Sequence, residues 1–241
     1  MGSGSSTKAK PDRAAAVSED ALRIPAFNKL AGRRVVLASA SPRRREILAS
    51  VGFHPEVIPS TFKEDLPKTG FVGEAAYQYP AETATQKALE VYKRLVHDCP
   101  DDPPDLVIGA DTVVIKGEEI MEKPLDALDN FRMLAELNDG ECEVVTGVVV
   151  VHPTLQAPGY QAHTVSEKTV VRFAENRGTI IQAYVDSGEG LDRAGGFAIQ
   201  GKASILVKSI DGDYNNVVGF PLFTFCSFLD DLIEDGELDF A

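Results

Sequence analysis

Residues 1–32 are rich in Gly, Ser, Ala, Pro and charge and show no sustained apolar periodicity, so this N-terminal extension is expected to stay disordered, outside the fold. From Arg33 the pattern changes. Val35-Val36-Leu37-Ala38 is a short apolar run that reads as a strand, and Ser41-Pro42 behind it supplies an N-cap and a first helical residue. That helix is expected to run to about Ser50 and to stop at Gly52. A second strand is expected around Glu56 to Pro59, followed by a polar segment from Ser60 to Pro67. Ala84, Ala88, Val91 and Leu95 recur at helical spacing and predict a long helix from about Ala81 to His97. The acidic, proline-bearing stretch Asp98 to Asp105 reads as a surface loop. Leu106 to Ile115 and Val144 to Val151 are the most strand-like runs, with Lys116-Gly117-Glu118-Glu119 as a hairpin turn after the first. Pro124 to Leu137 predicts a helix with Leu128, Phe131, Leu134 and Leu137 on one face, ended by Gly140. A strand at Val165 to Phe173, a helix near Arg177 to Ser187, a strand at Ser204 to Ser209 and a last helix from about Pro221 complete the order. Strands and helices alternate, which predicts an α/β fold with a mixed sheet and a single domain over residues 33–241.

Composition narrows the function. The chain has 241 residues, 44% of them apolar, enough for a substantial core. It carries 24 basic and 37 acidic residues, a net charge of −13, which at long range repels nucleic acid and anionic lipid. A small anion can still be drawn to a cleft that gathers cations. Cys99, Cys142 and Cys226 are odd in number and far apart, which argues against a disulfide framework or thiolate metal site and for a reduced, cytoplasmic setting. No apolar run is long enough to span a membrane. Met1-Gly2-Ser3-Gly4-Ser5-Ser6 matches the myristoylation pattern, although short Gly/Ser starts are also common expression scars.

The chemistry is concentrated in a few places. Arg43, Arg44 and Arg45 fall in the first turn of a helix whose N-terminus is already positive, an arrangement that suits a bound phosphate better than a bare helix. The competing reading is that they solvate the helix start. Asp111, in Gly109-Ala110-Asp111-Thr112, interrupts an apolar strand and should meet a cation, a metal or the floor of a cleft, unless Gly109 makes a turn that Asp111 caps. Glu64 and Asp65 offer loop carboxylates that, with Asp111, could hold a divalent cation such as Mg²⁺ or Mn²⁺ through oxygen ligands. Lys87 and Lys123, each of which alone also reads as an exposed solvated charge, would join Arg43 and Arg44 to balance a triphosphate charge of about −4. Gly188 to Gly201 is glycine-rich, either a structural loop or a close approach to a ligand at which Gln200 can face a base edge. There is no P-loop, no H-E-x-x-H helix and no nucleophile elbow. Asp211 to Asn215 starts like a calcium loop but lacks its glycine and glutamate and reads as a hairpin turn. His54, His97, His152 and His163 show no ligand spacing.

The order of these sites resembles one family. Leu37-Ala38-Ser39-Ala40-Ser41-Pro42-Arg43-Arg44-Arg45-Glu46-Ile47-Leu48 is similar to the opening signature of Maf proteins. Gly109-Ala110-Asp111-Thr112, Glu122-Lys123-Pro124, Thr146-Gly147-Val148, Asp192-Arg193-Ala194-Gly195-Gly196, Ile199-Gln200-Gly201 and Val217-Val218-Gly219-Phe220-Pro221-Leu222 follow in family order. The resemblance implies an elongated, two-lobed α/β fold of the Maf and ITPase-like kind, often dimeric, with a deep cleft. It implies hydrolysis of nucleoside triphosphates between the α and β phosphorus atoms, with a divalent cation. Asp111 matches the proton acceptor; Ser39, Arg43, Arg44, Lys87 and Lys123 match phosphate-holding residues; Glu64 with Asp111 matches the metal site. Arg43, Thr112 and Gln200 fall where the family discriminates substrates, and Ile199-Gln200-Gly201 resembles the branch acting on dTTP and UTP. Lys202-Ala203-Ser204 departs from the usual Leu-Gly-Gly, and Asp98 to Asp105 extends a loop. Two other functions are kept alongside: a non-catalytic nucleotide-binding regulator of cell division, and a pyrophosphatase for purine or modified nucleotides.

Overall fold

The structure is a computed structural model and describes residues 14–63, 66–67 and 70–238. Its apolar runs assemble a seven-stranded mixed sheet. The strands are β1 (Val35–Leu37), β2 (Glu56–Val57), β3 (Leu106–Lys116), β4 (Glu119–Met121), β5 (Glu141–Pro153), β6 (Tyr160–Phe173) and β7 (Val207–Asp211). They lie in the order β2-β1-β3-β5-β6-β7, with β4 also paired to β3. β1 runs parallel to β2 and β3, and the remaining pairs are antiparallel. Around the sheet stand α1 (Pro25–Leu30), α2 (Pro42–Ala49), α3 (Tyr79–Asp98), α4 (Ala127–Leu137), α5 (Gly178–Asp186), α6 (Tyr214–Val218) and α7 (Leu222–Glu234). No helix among the described residues is long and apolar enough to cross a membrane.

The continuous Val/Ile runs of β3 and β5 are explained by burial on both faces. On one face Leu106, Ile108, Ala110, Val148 and Val150 pack against α1, α2 and α7. On the other, Val107, Val149 and Val151 meet Ala84, Ala88 and Val91 of α3. Further along the same strands, Val114 and Val144 join a separate core with α4 and α5. The long strands therefore run through two packing centres, which gives the two lobes expected from the resemblance. β1 pairs with β3 only as far as Ile108, and the pairing of β3 with β4 begins at Val114. Residues 109–113 consequently have a strand neighbour on one side alone, and this gap in the sheet lies between the lobes.

Several boundaries differ from the sequence expectation. The fold begins well before Arg33: Ala16, Ala21, Ala26, Phe27 and Leu30 are buried in the first core, and Phe27 stacks on Phe53 with ring centroids 4.9 Å apart. Asp230 accepts a hydrogen bond from the Ala26 amide at 2.7 Å and ties α1 to α7. A helix of six residues is too short to show periodicity, which is why the packing left no pattern in the sequence. The acylation pattern at residues 1–6 lies outside the described residues. Residues 202–205 form a 3-10 turn and the strand follows at Val207. Asp211 to Asn215 is not a hairpin turn: Asp213 is the N-cap of α6, accepting from the Asn215 amide at 2.7 Å. Helix α4 starts at Ala127, capped by Asp126, rather than at Pro124. Gly109 makes no turn; it is in mid-strand, opposite Val149.

Candidate active site

Asp111 lies on β3 at the gap, paired across the sheet with Gly147. It shares the α3 face of the sheet with Gly109 and Gly147, and both glycines are there because α3 needs the room. A Cβ on Gly147 would stand 2.3 Å from the Ala81 backbone nitrogen, and one on Gly109 would stand 2.5 Å from the Ala84 carbonyl oxygen. Small residues on both partners let α3 settle onto the strands, and Lys87, one turn beyond Ala84, reaches Asp111 with Nζ 2.7 Å from Oδ1. Both residues are buried, with 9% and 8% of their surface exposed. Each charge thus meets the other, as the cost of an isolated buried charge requires.

The N-terminus of α2 faces the same gap. Ser41 occupies the N-cap but makes no side-chain cap, and no acid lies in the first turn. Arg44 is buried and spends its donors on the walls: Nη1 on the Ala110 carbonyl (2.8 Å) and Ser39 Oγ (3.1 Å), Nη2 on Thr112 Oγ1 (3.1 Å), and Nε on the Gly219 carbonyl (3.0 Å). It covers the strand edge that β1 and β4 leave unpaired. Ser39 Oγ accepts from Arg44 and from the Ser41 amide at 3.2 Å, which leaves its own proton to donate into the cavity. Arg43 projects into that cavity too; its Nη1 is buried and has no hydrogen-bond partner, and burial together with the Arg193 charge pushes its pKa down.

The cavity has a volume of about 590 Å³. Ser39, Arg43, Arg44, Lys87, Asp111, Thr112, Lys123 and Gln200, dispersed along the sequence, all line it. So do Glu122, Asp192 and Arg193. Among the described residues the lining therefore holds five basic against three acidic side chains, the reverse of the whole chain's sign.

A family profile described as Maf-like protein matches residues 34–232. The chain belongs to the Maf family. It is 49% identical over 209 residues to a human protein named probable bifunctional dTTP/UTP pyrophosphatase/methyltransferase protein, a match covering 85% of this chain and 33% of that one. It is 38% identical over 224 residues to the dTTP/UTP pyrophosphatase of Schizosaccharomyces pombe, covering 90% and 91%. With the dTTP/UTP pyrophosphatase of Geobacter sulfurreducens it shares 40% identity over 205 residues, covering 85% and 98%. The chain thus spans a third of the human relative and nearly all of the other two.

Within this Maf cleft the candidate residues divide by how they are held. Asp111, Lys87, Arg44 and Ser39 are locked by contacts, whereas Lys123 and Gln200 are exposed and make no hydrogen bond to another described residue. Thr112 is tied into the wall, 3.0 Å from Thr146 Oγ1 and 3.3 Å from the Gly219 carbonyl. Glu64 and Asp65 lie outside the described residues. Sequence reasoning missed Tyr79 and Arg193 as lining residues, and it missed Glu90, which anchors the Ser60 wall of the Maf cleft to α3. Glu90 accepts from Ser60 Oγ (2.8 Å), the Thr61 amide (2.9 Å) and Arg94 Nε (2.7 Å). Burial opposes its ionisation, but the bonds from Arg94, Thr61 and Ser60 outweigh it and hold the carboxyl at about 2. His152 and His163, read as incidental, touch across β5 and β6 with Nε2 atoms 3.1 Å apart, far from any sequence spacing that would pair them.

Proposed function

We propose that this protein is a nucleoside triphosphate pyrophosphatase that hydrolyses dTTP and UTP to the monophosphate and pyrophosphate. The observation that carries the reading is Asp111: an acidic side chain at a break in the sheet, oriented by Lys87 and lining one cavity with Ser39, Arg43, Arg44 and Lys123. In the reaction a water oxygen forms the new bond to the α-phosphorus, its proton passes to the Asp111 carboxylate, and the α–β bridging oxygen departs with pyrophosphate. Ser39, Arg43 and Lys123 bind the phosphate oxygens, while Arg44 acts mainly by fixing Ser39, Thr112 and the unpaired edge of β3. Gln200, with its amide unengaged, faces the pyrimidine edge, and Arg43 and Thr112 bound the same selectivity region. The names of the relatives support dTTP and UTP as substrates.

A divalent cation fits this donor set in one form. No group of three His, Cys, Asp or Glu side chains is gathered among the described residues, so they build no all-protein cage. Asp111 and Glu122 line the cavity as hard oxygen donors, the kind that Mg²⁺ or Mn²⁺ takes in small number while keeping waters and phosphate oxygens. Asp111 would hold such an ion, with Glu64 as a second ligand, and the ion would supply neutralisation of phosphate charge. The free cysteines support a reducing, cytoplasmic setting.

The test is pyrophosphate release from dTTP, UTP, CTP, GTP, 7-methyl-GTP and ITP, with Mg²⁺ and with chelator. Metal-dependent turnover favouring dTTP and UTP is expected. Triphosphate binding with no product from any of them would replace the hydrolase by a nucleotide sensor, and a purine preference would overturn the substrate assignment.

A further inference from the structure

Arg193 has no part in the reaction as described above, yet its surroundings are built to present it. Gly195 and Gly196 adopt left-handed φ values of 66° and 73°, in a 3-10 turn that follows Arg193 directly. The turn is clamped from two sides. The buried Asn130 of α4 donates to the Gly196 carbonyl at 2.9 Å, and the Gly195 amide donates to the Glu122 carbonyl at 3.0 Å. A Cβ on Gly196 would stand 2.2 Å from Asn130 Nδ2, so the clamp depends on glycine there. The Arg193 amide donates to Gly190 at 3.1 Å, and its carbonyl accepts from Gly196 at 3.0 Å. The backbone is thereby fixed without help from the side chain, which lines the cavity.

The guanidinium is only partly engaged. Nη1 pairs with Asp192, whose side chain is 72% exposed, while Nε is buried and has no hydrogen-bond partner. From the α2 side, Arg43 likewise offers a buried, unpartnered Nη1. The two cations are near enough for Arg193 to add to burial in lowering the Arg43 pKa, a repulsion that Asp192 and Glu46 offset in part. Two guanidiniums lining one cavity from different elements, each with a buried donor unused, are complementary to an anion. A pyrimidine edge also accepts hydrogen bonds through its carbonyls, but it is neutral and gives no reason for two cations.

We propose that Arg193 pairs with Arg43 as a two-guanidinium clamp on the phosphate chain of the nucleotide. This rests on the cavity being a triphosphate site, and it makes Arg193 a further substrate-binding residue, supplied by the second lobe. The clamp would tie α2 to the glycine-rich turn when substrate binds.

Titration calorimetry with inorganic tripolyphosphate and with thymidine separates the two parts of the ligand. Arg193→Gln is expected to weaken tripolyphosphate binding about tenfold or more, to leave thymidine binding unchanged, and to keep the thermal midpoint. Arg193→Lys, which retains charge but not the fork, is expected to fall between and guards against a folding defect in the first variant. With dTTP the loss should appear chiefly in KM. Wild-type tripolyphosphate affinity in Arg193→Gln, or a loss confined to thymidine, would overturn the clamp. A wild-type protein that binds tripolyphosphate through Arg193 but hydrolyses nothing would instead sink the hydrolase reading and leave the clamp standing.

Discussion

At the residue scale the site works by division of labour between side chains that are committed to the protein and side chains left for a ligand. Arg44 illustrates the first kind. Four of its hydrogen bonds end on protein oxygens, so its charge reaches the cavity while its geometry serves the wall. Gln200 illustrates the second, exposed in the cavity with its amide unengaged. Gln200→Glu is expected to shift the ratio of kcat/KM values among dTTP, UTP and the purine nucleotides, measured on the same base panel; an unaltered ratio would remove Gln200 from base reading. The sequence made the individual chemistry legible because it violates local rules: arginines at a positive helix end and a carboxylate inside an apolar strand have to be answered by something. It did not make partners legible. Nothing in the local pattern says that Lys87 meets Asp111, or that Arg193 and Arg43 line one cavity, since packing brings them there across long sequence separations.

At the scale of elements, the decisive feature is how closely α3 approaches β3 and β5. Gly109 and Gly147 carry no Cβ where Ala84 and Ala81 press down, and the Lys87–Asp111 contact depends on that approach. Gly147→Ala is expected to push α3 outward, costing about 1–3 kcal/mol of stability as overpacking does, and to lower turnover by loosening Lys87 from Asp111. A thermal melt and a dTTP assay on the same preparation check both; an alanine variant with wild-type stability and rate would show that the approach is not needed. The helix itself was legible, because its apolar residues keep helical period for nearly its whole length. Gly109 left a turn open as an alternative, because a glycine carries no sign of which neighbour needs its missing side chain. The misreading of Asp211 to Asn215 has a similar origin: the same Asp-Gly-Asp residues that favour a hairpin also favour a helix N-cap.

At the scale of the molecule, two packing centres share one sheet, and the cleft is the place where the sheet is interrupted between them. The α/β class and mixed sheet were legible from the alternation of periods, while the gap at residues 109–113 was not, since it is set by where β1 ends and β4 begins. The N-terminal segment is the other feature that pattern concealed. Removing residues 1–32 strips Phe27, Leu30 and Ala26 from the core, and is expected to cost about 4 kcal/mol or more at about 1.5–3 kcal/mol per large apolar side chain, read as a lowered urea midpoint. A truncated chain as stable as the full one would show that the segment merely rests on the surface. The net charge of −13 sets the exterior, and the cation-rich cleft acts against it locally.

The account turns on Asp111 as the proton acceptor, so the most direct measurement is the rate of pyrophosphate release from dTTP by Asp111→Asn beside the unaltered protein, with circular dichroism to show that both are folded. Loss of the base is expected to reduce kcat by about 10²–10⁴-fold, with a somewhat lower thermal midpoint because Lys87 keeps a hydrogen-bond acceptor but loses its counter-charge. A folded Asp111→Asn protein that releases pyrophosphate at the unaltered rate would contradict the mechanism.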